Sequence, residues 1–197
     1  MQTKNTTAKR IKYAAVTVFV LIICQMMRMV PVFRERLQEY LSIGDGRFGF
    51  LLSIPSGVGL LTVLLGGALI DRWGPGRVLR LGLLGVVAAF VIVALAGQHW
   101  VLVAAGLGVY GLAMRPLVVA VRGYLIRLFP ENRRRVLSLN FAGSSVGSLF
   151  FPSIAEGLLQ LSGAGLITFG MALHLPFALA AGVVLVASFM YRKRPSF

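Results

Sequence analysis

The sequence predicts an all-α integral membrane protein, a bundle of six transmembrane helices with both termini on the cytoplasmic side. Three observations carry that expectation. Of 197 residues, 57% are hydrophobic and only 13% charged, with a mean hydropathy of +0.84, a composition outside the range of soluble domains. Apolar runs of membrane-spanning length recur along the chain, where a hydrocarbon core of about 30 Å needs roughly 20 helical residues. Between those runs the basic residues fall in alternate connections, as the positive-inside rule requires of a multi-pass chain.

The runs, taken in order, are 13–31, 48–70, 78–98, 100–128, 136–160 and 164–191. Lys9, Arg10 and Lys12 precede the first, which gives it the charge pattern of a signal peptide, but no small-x-small cleavage site follows "VLIICQMMRMV". The second carries Gly57, Gly59, Gly66 and Gly67 and ends in the polar stretch "GGALIDRWGPGRVLRLG", where Gly74, Pro75 and Gly76 mark a turn into the third. So short a connection makes its helices antiparallel neighbours. The fourth run holds Gly106, Gly108, Gly111, Arg115 and Pro116, the fifth Gly143, Gly147 and Glu156, and the sixth His174 and Pro176. In lipid, helices gain little by hiding apolar surface from one another, so the glycines are expected where backbones pack closely or slide. Residues 1–12 form a cytoplasmic segment, 13–191 the bundle in two three-helix repeats (13–98 and 100–191), and 192–197 a basic tail.

Orientation follows from the loops. One side holds Lys4, Lys9, Arg10 and Lys12, then Arg72, Arg77 and Arg80, then Arg127, Arg133, Arg134 and Arg135, and last Arg192, Lys193 and Arg194; the other holds Arg34, Arg36 and Arg47. The richer side is cytoplasmic. The formal charge of +14 is therefore read as topology and not as a nucleic-acid surface. The partners expected are the lipid bilayer and a small solute, and the expected setting is a bacterial cytoplasmic (inner) membrane. Cys24 stands alone in an apolar run, so an intramolecular disulfide and a cysteine metal cluster are excluded.

Charges at membrane depth are costly and face a cavity or a partner. Arg28 lies in the outer half of the first span and Arg115 in the inner half of the fourth, roughly 15 Å apart in depth by helical rise. Gln25, three residues before Arg28, shares its face, giving a donor pair suited to a carboxylate or phosphate. Two readings stand for Arg28, an anion contact and a structural pair with Glu156, which reaches a similar depth from the fifth span. Arg115 precedes Pro116 and is placed to serve the carbonyl that a proline leaves free. Arg122, one heptad on, is expected to snorkel to the inner headgroups, and His174 to be a hydrogen-bonded packing residue. Asp71 calls for a specific partner, since the positive-inside rule is nearly indifferent to acids; Arg72, Arg77 and the basic loop at 127–135 are candidates.

"GALIDRWGPGRVL" resembles the signature between helices 2 and 3 of the major facilitator superfamily, G-x-L-a-D-r-x-G-r-k-x-x-l. Gly67, Leu69, Asp71, Arg72, Gly74 and Leu79 fall on its positions, while Pro75 and Gly76 replace the two basic residues and Arg77 follows one place later. "LFPENRRRVLSLNFAGSSVG" is similar to that family's passage from helix 4 to helix 5, and six spans with both ends inside is the layout of its amino-terminal half. The resemblance implies a half-transporter that rocks against a second six-helix bundle, either a second copy or a separately encoded half. It implies that Asp71, Arg72 and Arg77 belong to a cytoplasmic gate and that Gln25, Arg28 and Arg115 line the central cavity. "CQMMRMVP" resembles the arginine-bearing first helix of organic-anion and organophosphate transporters of the superfamily. The antiporter pattern of helix 5 is poorly kept, since "GSLFFPSIAEG" retains Pro152 and Gly157 but lacks the glycine before the proline.

No G-x-x-x-x-G-K-[ST] loop is present, and two histidines without an acid cluster make neither a metal site nor a hydrolase. The expectation is a protein that is not an enzyme and needs no cofactor. Two classes remain: a secondary transporter for a small solute, with an organic or inorganic anion among the candidates, and a non-transporting membrane scaffold, partner subunit or fragment of a full-length transporter.

Overall fold

The computed structural model describes residues 2–191, with side chains over 10–63 and 66–191. The tail at 192–197 lies outside the described residues. α1 (Gln2–Cys24) passes directly into a 3-10 helix (Gln25–Phe33) and then α2 (Arg34–Leu41); α3 (Asp45–Trp73), α4 (Pro75–Leu95), α5 (Trp100–Leu128), α6 (Arg133–Gly163) and α7 (Phe169–Met190) follow, with no strand among the described residues.

Among the described residues, five helices are long and apolar enough to cross a membrane, within Arg10–Leu41, Asp45–Val63, Pro75–Leu95, Trp100–Leu128 and Phe169–Met190. The sixth expected span, α6, is 31 residues long but too polar to meet the same measure, because three arginines open it and serines, Asn140, Glu156 and Gln160 interrupt it. Five spans by composition and one long polar helix therefore stand where six apolar spans were expected.

The first span does not stop at Pro31. A proline inside a helix lacks the N–H and crowds the carbonyl one turn back, and here the chain answers by tightening into a 3-10 helix that carries Pro31 within it. Where the ladder changes, the Tyr110 hydroxyl of α5 donates to the Cys24 carbonyl at 2.8 Å, and both residues are buried. Tyr110→Phe is expected to leave that carbonyl unpaired and cost about 1–3 kcal/mol. Reversible unfolding in mixed detergent micelles would measure it, and an unchanged midpoint would mean that another donor serves Cys24.

The polar stretch at 66–82 turns more sharply than expected. Asp71 and Arg72 still belong to α3, Gly74 alone makes the turn with φ +79°, and Pro75 opens α4. Only glycine takes that φ without strain, and proline costs nothing in a first turn, whose N–H has no helical partner. α7 starts later than residue 164, after a turn at Gly165 (φ +72°), and Thr168 caps it by accepting from the Met171 N–H at 3.3 Å.

α5 is the centre of the packing: α3 and α4 lie against it, α7 covers α4, and α6 lies along α1 and the 3-10 helix. Glycines set the closest approaches. A Cβ on Gly111 would stand 2.6 Å from the Pro55 carbonyl oxygen, and one on Gly147 2.9 Å from that of Ile22. Gly106 and Gly143 pack as closely against Val93 and Val18, whereas Gly57 and Gly67 face open space, and Gly82 and Gly85 of α4, not among the expected contacts, meet α5 at Leu117 and Ala113. Cys24 is buried in the core.

Candidate functional site

α5 presents Tyr110, Gly111, Arg115 and Arg122 to a cavity of about 620 Å³, which Gln25 and Arg28 of the 3-10 helix, Pro55 and Ser56 of α3, and Ser144 of α6 also line. The spacing of the α5 residues is the spacing of one helical stripe. Gln25, Arg28 and Arg115, assigned to one cavity through the resemblance, are thus brought together around it.

In a 3-10 helix the side chains at i and i+3 eclipse, so the change of helix type at Gln25 stacks that residue under Arg28. The Arg28 Nε–H donates to Gln25 Oε1 at 3.0 Å, and Gln25 Nε2 donates to Ser144 Oγ at 3.1 Å. This chain of bonds holds the guanidinium by one edge and leaves its terminal nitrogens for a ligand. Arg115 runs along α3 beside Gly59, where an added Cβ would come within 3.0 Å of its Cγ and 3.1 Å of its Nε; Gly59 leaves the room that Arg115 occupies. Arg28 and Arg115, expected at different depths, both line the one cavity.

Glu156 does not pair with Arg28. It is exposed on α6, and the ion pairs among the described residues are Arg34–Asp45 at 2.8 Å and Arg36–Glu39 at 3.7 Å. The reason is angular. Gly147 packs on Gln25, and nine residues further along an α-helix of 3.6 residues per turn is about half a circle away. Depth alone suggested the pair; the face forbids it. Arg122 also lines the cavity, with its guanidinium carbon 4.7 Å from the centre of the Phe141 ring.

Asp71, Arg72 and Arg77 are exposed at the α3–α4 turn, apart from the cavity, and none forms an ion pair among the described residues. At the opposite end of α3, Asp45 Oδ1 accepts from Arg34 Nη2 at 2.8 Å and from Gln38 Nε2 at 2.9 Å, tying α2 to the start of α3. His174 packs as expected: its Nδ1 meets the Val93 carbonyl at 2.9 Å and its Nε2 the Tyr40 hydroxyl at 3.4 Å. Since a carbonyl can only accept, Nδ1 carries a proton.

Apolar helices long enough to cross a membrane, arranged about an open cavity, define the architecture of a multi-pass membrane protein. The model of the Major Facilitator Superfamily matches residues 14–197, and the chain belongs to that superfamily. It is 30% identical over 93 residues to an MFS-type transporter of Aspergillus fumigatus, an alignment that covers 47% of this chain and 21% of that protein. The chain thus spans about a fifth of the length of the relative it matches.

Proposed function

We propose that the chain is one bundle of a secondary transporter that moves a small organic or inorganic anion by alternating access against a second six-helix bundle. The observation that carries this reading is the cavity: Gln25, Arg28 and Arg115 line it, and among the described residues its lining includes no carboxylate. Guanidinium groups at membrane depth without a counter-charge call for an anionic ligand. The second wall is supplied by another copy, a separately encoded half or the remainder of a longer chain. A scaffold without transport has no use for a cationic cavity.

The experiment is thermal unfolding of the purified protein with acetate, inorganic phosphate and, as a cationic control, choline. Stabilisation by an anion and none by choline is expected; equal response to both defeats the anion reading.

In this reading α6 is the fifth of six spans, and the protein sits in a cytoplasmic membrane of the bacterial type with both termini inside. In cells carrying a Cys24-replaced variant, an impermeant thiol reagent is expected to label a cysteine at position 36 and spare one at 134. Strong labelling at 134 inverts the topology. Asp71, Arg72 and Arg77 act in the cytoplasmic gate, with Asp71 reaching a basic residue of the second bundle when the cavity opens outward. Asp71→Asn is then expected to slow uptake several-fold while leaving anion affinity within about twofold, about 0.4 kcal/mol, because Asp71 is exposed and does not line the cavity. Equal losses in both would place Asp71 at the ligand.

A further inference from the structure

Arg122 follows Arg115 by seven residues, two turns of α5, and so lies on the same stripe. Its Nε is buried with no hydrogen-bond partner among the described residues, and its guanidinium stands over the Phe141 ring. The ring contact and the shielded Nε keep the group at the cavity wall, within reach of a ligand there. A donor kept from water without an acceptor is destabilising. Three guanidiniums lining one cavity also repel one another, and none of the described lining residues carries a negative charge.

A ligand with two acidic ends relieves both penalties, whereas a monoanion neutralises one guanidinium of three. We infer that the cavity takes an organic dianion with separated acidic groups, one end held by Arg28 and Gln25 and the other by Arg115 and Arg122. The inference rests on the anion reading above and sharpens it. Arg28 and Arg115 stand roughly 15 Å apart in depth by helical rise, and one cavity is lined by both, so the cationic wall is extended and suits an α,ω-dicarboxylate better than a compact inorganic anion. The ring under Arg122 restricts its plane, and a planar fork held in this way recognises a carboxylate in two-point geometry.

The test titrates the full chain in detergent with acetate, malonate, succinate and glutarate at constant ionic strength, reading apparent affinity from thermal stabilisation. The best dicarboxylate is expected to bind the wild type about tenfold more tightly than acetate, the gain of one charged hydrogen-bonding contact. Arg122→Gln should bring that ratio toward one, because the dicarboxylate loses a contact that acetate never had. Arg122→Lys keeps the charge, guards against a folding defect, and should keep only part of the ratio. A dicarboxylate preference that survives Arg122→Gln undiminished, or a wild type that binds acetate as tightly as any dicarboxylate, overturns the inference and leaves the anion reading standing. A wild type that responds to no anion overturns both.

Discussion

Arg28→Lys is expected to weaken anion binding by about tenfold or more although the charge is kept. The Arg28 Nε–H is committed to Gln25 at 3.0 Å, which fixes the plane of the guanidinium and presents its terminal nitrogens as a fork. Lysine offers a strongly hydrated point charge on a flexible stem and has no second nitrogen to hold in place. A charged hydrogen bond is worth roughly 1.5–3 kcal/mol, or one to two powers of ten in affinity. Glu156→Gln is expected to leave both stability and anion response as in the wild type, since Glu156 is exposed and forms no ion pair with Arg28. Thermal shift titrations of the two variants separate the possibilities. An unaltered anion response in Arg28→Lys would remove Arg28 from the site, and marked destabilisation by Glu156→Gln would restore the structural pair.

The largest loss of stability is expected at Gly111. A Cβ there would lie 2.6 Å from the Pro55 carbonyl oxygen and 2.9 Å from the Pro55 Cα, and backbone atoms cannot rotate away as a side chain can. α3 and α5 would have to part along their contact, so Gly111→Ala is expected to cost about 1–3 kcal/mol, and Gly111→Val more. Gly57→Ala, in the same helix pair, meets nothing within 4 Å and is expected to be neutral or stabilising by up to about 1 kcal/mol, from helix propensity. Unfolding midpoints in mixed micelles compare the two. Gly111→Ala as stable as Gly57→Ala would mean that the close approach is not a feature of the folded bundle.

These two sites show where the sequence is informative. Spacing along one helix was legible: Gln25 and Arg28 on one face, Asp71 and Arg72 at a helix end, the glycine stripes of the fourth and fifth runs. What spacing cannot give is the rotation of one helix about its axis relative to another. That is why Glu156 matched Arg28 in depth and missed it in angle, and why Gly57 and Gly67 faced open space while Gly82 and Gly85 made contacts. Ser144, which completes the Gln25–Arg28 network, is one serine among several on α6 and carries no sign of its partner. Arg122 could have been found: its heptad distance from Arg115 already placed it on the cavity stripe. The change to a 3-10 helix at Gln25 was hidden because Pro31 marks a disturbance without saying whether the chain ends, kinks or tightens.

The central claim is that this cavity is one wall of a site that needs two bundles. Single-molecule counting of labelled chains in liposomes at low protein density, scored vesicle by vesicle beside uptake of an anion that stabilises the protein, tests it most directly. Uptake is predicted only in vesicles that hold two copies, or one copy with a second bundle added. Uptake at an equal rate per chain in vesicles holding a single copy and nothing else would contradict the account.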